Sequence, residues 1–272
     1  MLILGVLLAS VGIVLLVLAE YQRTQLRQLR AAERSTTKEL AEYAESVSQA
    51  LVEVGSYSQI AEVSGIVRCD TPLTSEIAKQ PCVYYDARVS REYEESRYRD
   101  GRRRRRRADT RRGSEIVANN TQRIPFWVED AAGRIHVDPS GARIEPVQIA
   151  DRFEPAAPAA SGGGNLTIGS FSITLHGPPT VADEGRRTIG YRFRERAIPL
   201  DRRVYVFGEV TDASGTLTIQ KPRQKGRFVI SLRSKEEIVR SAAIRAQVMT
   251  IAGAGSGAAG VIVVALALLG VL

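Results

Sequence analysis

Two uninterrupted apolar runs stand at the ends of the chain, and a polar region with alternating apolar positions lies between them. Residues 1–19 and 246–272 carry no Asp, Glu, Lys or Arg. All 68 such residues (38 basic plus 30 acidic) fall in the stretch 20–245. An apolar segment of roughly 20 residues, rising about 1.5 Å per residue, covers the hydrocarbon core of a bilayer. The pattern therefore predicts two transmembrane helices, 1–19 and 246–272, around a water-facing middle. A chain so divided is neither an ordinary soluble enzyme nor a polytopic transporter. Val17-Leu18-Ala19 could serve as a signal-peptidase site, but no Lys or Arg precedes the first run and the run is long for a signal peptide, so we expect a retained anchor.

The second run opens with small residues, including the spacing Gly253-xxx-Gly257, and the first contains Gly5-xxx-Ala9. Small residues at this spacing let helix backbones approach closely, so the two spans are candidates to pair; they also fill loosely packed helices without pairing. Arg23, Arg27, Arg30 and Arg34 follow the first run, and Arg233, Lys235, Arg240 and Arg245 precede the second. The positive-inside rule then places the middle region on the cytoplasmic side.

In the middle, Leu26, Leu29, Leu40, Tyr43, Val47, Leu51 and Val54 recur at helical steps, interrupted at Glu33 and Thr36. This predicts a juxtamembrane helix over 20–54, a stalk whose second half packs on the domain. From residue 55 the period changes. Residues 60–68, 81–89, 114–119, 125–130, 188–195, 199–210 and 227–231 are rich in β-branched and aromatic residues and read as strands. Val128, Asp130, Gly133, Ile135 and Val137 match Val210, Asp212, Gly215, Leu217 and Ile219 at a constant offset of 82, each set reading as strand, Asp-x-x-Gly turn, strand. A Pro/Ala/Gly stretch at 154–165 separates the two copies. The expectation is a mostly β (α+β) domain over 55–245, with two small OB-like barrels at about 55–153 and 165–234. Ser234 to Glu237 has the form of a capping box opening a helix at 236–246 that feeds the second span.

Charge adds one local feature. The formal net charge of +8 resides in residues 97–112, which hold ten Arg and two Asp; the rest of the chain balances at 28 basic and 28 acidic residues. The run Arg102, Arg103, Arg104, Arg105, Arg106, Arg107 has three readings: a solvated insertion between strands, a site for anionic lipid headgroups, or a nucleic-acid site. We rank them in that order. The chain has 33 Arg and 5 Lys, which favours an Arg-biased insertion, and only Tyr98 supplies an aromatic for base stacking.

The chain has two cysteines, Cys69 and Cys82, and two histidines, His136 and His176, too few for the eight ligands of a RING and without paired spacing for a single zinc. No metal or cofactor is expected. Cys82 is a weak nucleophile candidate, because a thiolate needs a nearby base and a positive field, and a buried inert thiol is the commoner state. His136 alternates with Ile135 and Val137 and so faces outward. For Trp127, the only tryptophan, core packing is expected first and a binding surface second.

Pro81-Cys82-Val83-Tyr84-Tyr85, then Pro125-Phe126-Trp127 with Asp130, Gly133, Val137, Pro139 and Gly141, then Arg194-Glu195 with Pro199, then Val204 to Glu209, then Phe228 to Ser231, in that order, resemble the GIDE domain. This domain, also called BAM ("beside a membrane"), is the central domain of mitochondrial E3 ubiquitin ligases of the MULAN/MAPL type, and it also occurs in bacterial membrane proteins. The resemblance covers about 60–240 and the span–domain–span layout. It singles out Pro81, Cys82, Tyr84, Trp127, Asp130, Gly133, Glu195, Gly208 and Glu209; Glu195 and Glu209 could bind a partner, although a structural hydrogen bond is the expectation for Glu209 beside Gly208. In the animal proteins the second span is followed by a RING, whose ligands these 272 residues do not supply. The expected function is recognition or organisation beside the membrane, without catalysis, in a bacterial-type member. The partners implied are the bilayer, an unidentified membrane or cytoplasmic protein, and anionic lipid through the Arg run. The rival readings are an E3-type transferase by resemblance and a Cys82-based enzyme.

Overall fold

The structure, a computed structural model, describes residues 2–31, 35–51, 57–97, 109–156, 164–168, 171–175, 186–224 and 226–269. Helix α1 (Leu2–Ala31) and helix α3 (Lys235–Leu268) contain apolar segments long enough to cross a membrane, Leu2–Thr24 and Val239–Leu268. They pack against one another along the small residues. A Cβ placed on Gly12 would lie 2.6 Å from the amide N of Gly257, and one on Gly260 would lie 2.5 Å from the amide N of Ala9. Only glycine permits this approach, so the helices pair by backbone contact. At the domain end of the pair, Arg23 donates to the Thr250 hydroxyl (3.2 Å). Ser234 is the N-cap of α3: its Oγ accepts from the Glu237 amide (3.2 Å), one half of the expected capping box, and α3 runs unbroken into the span.

The region 20–54 is not one continuous helix. Ser35 and Thr36 are non-helical, and a new helix, α2 (Thr37–Leu51), starts after them. The cause is a second capping box: Thr36 Oγ1 accepts from the Glu39 amide (3.2 Å), and Glu39 accepts from the Thr36 amide (2.8 Å). The polar residue that interrupts the apolar stripe is thus a helix start. α2 buries Leu40 and Ala44 against the domain core.

That core is a closed ring of five strands. In chain order they are β1 (Ser58–Arg68), β5 (Phe126–Glu129), β6 (Arg134–Val137), β12 (Arg203–Thr211) and β13 (Thr218–Gln220). Around the ring they run β1-β5-β6-β13-β12 and back to β1. All neighbours are antiparallel except β6 and β13, which are parallel, Thr218 opposite His136. Alternate residues point inward: Val63, Val67, Phe126, Val128, Ile135, Val137, Val206, Val210 and Ile219 are fully buried. Each contributes about 1.5–3 kcal/mol over its exposed state. β12 extends past β13 to pair with β14 (Val229–Ser231), which in turn pairs in parallel with β7 (Arg143–Glu145).

Two insertions in the ring build a second sheet. The first contributes β2 (Leu73–Thr74), β3 (Pro81–Arg97) and β4 (Asp109–Arg123); the second contributes β8 (Val147–Pro155) and β11 (Arg186–Pro199). β3 and β11 are central, with β2 and β4 beyond β3 and β8 beyond β11. β9 (Gly164–Ile168) and β10 (Phe171–Leu175) form a separate hairpin. Cys82, Tyr85, Ala87, Val89, Tyr191, Phe193 and Ala197 make this sheet's core. Each sheet therefore draws strands from both sides of the 154–165 stretch: β1 pairs with β12, and β3 pairs with β11. The two similar Asp-x-x-Gly hairpins are neighbours in one ring, joined through β6 and β13. Arg97 pairs with Asp109 at the end of β3 and β4, while Arg102 to Arg107 lie outside the described residues, as does much of the 154–165 stretch.

Candidate functional site

The residues singled out in the sequence divide into three places. The first is the hairpin end of the ring. Asp130 opens the β5–β6 turn, and its Oδ1 accepts from the amides of Ala132 (2.8 Å) and Gly133 (3.0 Å). The same carboxylate also accepts from the Thr37 amide (2.9 Å) and the Thr37 hydroxyl (2.6 Å). Burial alone would raise its pKa, but the bonds from Thr37, Ala132 and Gly133 outweigh burial and hold it below the ordinary carboxylate value. In the matching hairpin, Asp212 Oδ1 accepts from the Tyr57 amide (3.1 Å). One repeated aspartate is thus tied to the start of α2, and the other to Tyr57, just before β1.

The second place is under the 75–80 turn of the second sheet. Glu195, on β11, is fully buried, and its carboxylate accepts from three successive amides: Glu76 (2.6 Å), Ile77 (3.1 Å) and Ala78 (2.8 Å). Such a nest satisfies a carboxylate as a bound anion would be satisfied. Cys82 is also fully buried; burial first, then the nearby Glu195, push its thiol up to about 11. That is the reverse of the low-pKa, electropositive setting a cysteine nucleophile needs. Cys69 is half-buried with its thiol 3.9 Å from the Pro125 carbonyl, and neither cysteine is in a disulfide. Beside them, Glu76 Oε1 accepts from Asn120 (2.7 Å) and from the Tyr85 hydroxyl (3.2 Å), and burial, then Glu76, push Tyr85 up to about 12. This Glu76–Tyr85–Asn120 group was not visible in the sequence, because its members come from a turn and two strands with no shared spacing.

The third place is the outer surface of the ring. Phe126 and Val128 point inward, so Trp127 points outward and stands half-exposed, outside the core. The Arg134 guanidinium lies over its ring (4.6 Å to the centroid) and the His136 ring meets it edge-on (5.0 Å). His136 Nδ1 is 3.3 Å from Thr218 Oγ1. Glu209 is buried and accepts from Ser58 Oγ (2.5 Å) and the Arg223 amide (2.7 Å). Its neighbour Gly208 leaves room for Phe228, whose ring would be 2.8 Å from a Cβ there. Pro81 is exposed at the start of β3, and Tyr84 is half-buried on the same strand, its hydroxyl pKa raised by burial first and then by Asp86. Among the described residues no three His, Cys, Asp or Glu side chains gather to hold a metal; His176 lies outside them.

These features define a membrane-anchored β-barrel protein whose acidic residues brace its own backbone. The chain belongs to the GIDE family, described as E3 ubiquitin ligase, whose model matches residues 93–266. The match begins on β3 and runs into α3, and so leaves out Pro81 to Tyr85. Among curated proteins, the chain is similar to the E3 ubiquitin-protein ligase SPL1 of Arabidopsis thaliana, 28% identical over 131 residues. That alignment covers 47% of this chain and 34% of the plant protein, so the chain spans about a third of its relative. No solved structure matches the chain.

Proposed function

We propose that the chain is a membrane-anchored recognition module that holds or organises a partner protein beside the bilayer and performs no chemistry itself. The observation that carries this reading is the use made of the family-pattern acids. Asp130, Glu195 and Glu209 are occupied by amide and hydroxyl donors of the fold, and the Cys82 thiol is buried with a raised pKa. A domain so braced is a rigid body, fixed to its spans through the continuous α3. The ring order, with its single parallel pair between the third and fifth strands, supports reading the barrel as OB-type. The basic flanks of both spans support a cytoplasmic placement, and α2 with the end of α1 supports a stalk. Within the family the reading is of a bacterial-type member.

The test has two arms. In lipid nanodiscs, the purified chain leaves the thioester of a ubiquitin-charged conjugating enzyme intact. Discharge that is lost in Cys82→Ala would establish an enzyme instead. Proximity labelling in the native membrane then yields a defined set of neighbours; a labelling pattern identical to that of the two spans alone, without the barrel, would sink the recognition role. The family description and the plant relative favour a second reading, in which the module serves a ubiquitin ligase whose RING chemistry acts beside it.

A further inference from the structure

Arg227 lies two residues before β14, whose Val229 packs against Val239 near the start of α3. Its Nη1 is shielded from solvent and has no hydrogen-bond partner among the described residues. A guanidinium has five donors and keeps its proton, so a shielded N–H without an acceptor is costly and calls for an anion. The neighbourhood supplies positive charge. Arg143 sits on the adjoining strand, its amide bonded to the Phe228 carbonyl (2.8 Å), and Arg245 comes from α3. Burial, then the like charge of Arg143, lower the Arg227 pKa, with Arg245 adding a smaller push the same way; Glu145 and Tyr21 oppose them. Glu145 is already engaged: it pairs with Arg143 (3.4 Å) and accepts from Ser231 Oγ (3.2 Å).

The location identifies the anion. Tyr21 is two residues beyond the uncharged run 1–19, and Arg245 is the last charged residue before the uncharged run 246–272. The charges of both act on Arg227, and Val229, two residues along from Arg227, packs with Val239, where the apolar segment of α3 begins, so the guanidinium lies near the depth where the spans begin. In a bilayer that depth holds the headgroup phosphates. We propose that Arg227, flanked by Arg143 and Arg245, holds the phosphate of a phospholipid headgroup in the leaflet the barrel faces, the shielded Nη1 donating to a phosphate oxygen. The planar fork of a guanidinium suits two phosphate oxygens at once. This site uses none of the residues Arg102 to Arg107, and it requires only the two spans, whatever partner the barrel recognises.

The test uses the full chain in a neutral detergent, with thermal unfolding followed as phosphatidylglycerol is added. Diacylglycerol of the same acyl chains and inorganic phosphate serve as parallel probes. Phosphatidylglycerol should raise the melting temperature, and the other two should not. Arg227→Gln should weaken the apparent lipid affinity roughly tenfold, the loss of one charge-assisted contact. Arg143→Gln and Arg245→Gln, at exposed side chains, should weaken it by smaller factors, and Arg152→Gln on the second sheet should leave it unchanged. Stabilisation by diacylglycerol equal to that by phosphatidylglycerol overturns the proposal. So does equal affinity across the Arg143, Arg227 and Arg245 variants. Inorganic phosphate binding as tightly as the lipid overturns the lipid assignment in favour of a free anion.

Discussion

The Asp130 carboxylate accepts both the amide and the hydroxyl of Thr37, at 2.9 and 2.6 Å, from 93 residues away in sequence. One side chain thereby closes a hairpin turn and starts the α2 helix. Asp212, in the matching hairpin, accepts from the Tyr57 amide just before β1. Each copy of the repeat thus uses its aspartate to hold a backbone amide from the N-terminal part of the chain.

Replacing Asp130 with Asn should destabilise the domain by about 1–2 kcal/mol, the usual cost of a lost cap, towards the low end because the site is part-exposed. The folded pKa is depressed, so the stabilisation is fully present above the unfolded value near 4 and is lost as pH falls through the folded pKa. Urea unfolding of wild type and Asp130→Asn should therefore differ at neutral pH and converge in acid. A gap independent of pH would show that the charge contributes nothing.

Glu195→Ala should be more costly, because three amides lose their acceptor together. We expect about 3 kcal/mol or more. Glu195→Gln, which keeps one carbonyl oxygen for them, should lose less. Equal loss in the two variants would indicate that the side chain acts by volume rather than as an acceptor.

Alkylation should separate the two thiols. Native protein treated with N-ethylmaleimide should be modified at the half-buried Cys69 and spared at Cys82, whose thiol is buried and pushed up to about 11. Cys82 should react once the protein is unfolded. Rapid native labelling of Cys82 would revive the enzyme reading.

In the spans, Gly260→Leu and Gly12→Leu should each force the helices apart and cost about 1–3 kcal/mol by overpacking. Gly255→Leu, which meets nothing within 4 Å, is the matched control. Melting in detergent should fall for the first two only; a fall of the same size at Gly255 would mean that helix propensity or lipid contact, not pairing, is being measured.

The local chemistry was legible in the sequence and the long-range pairing was not. The absence of charge at both ends, the Ser234 capping box and the two Asp-x-x-Gly hairpins each depend on residues a few positions apart, and each has its counterpart in the structure. The Thr36–Glu39 box has the same local form but sits in a helical stripe, where it reads as a blemish. Trp127 looked like core because its size suggests burial, yet the phase set by Phe126 and Val128 already turned it outward. What no spacing could give is that β1 closes on β12. That pairing depends on the ring closing, which brings together residues more than a hundred positions apart.

Ring closure also bears on biosynthesis. β1 is made early, but its partner β12 emerges only after both insertions, shortly before α3. Until then the nascent chain holds an open strand edge beside a membrane-inserted first helix. The barrel can close only as the second hydrophobic helix approaches the translocation machinery, so maturation of the soluble part and completion of the membrane hairpin become, in time, nearly the same event.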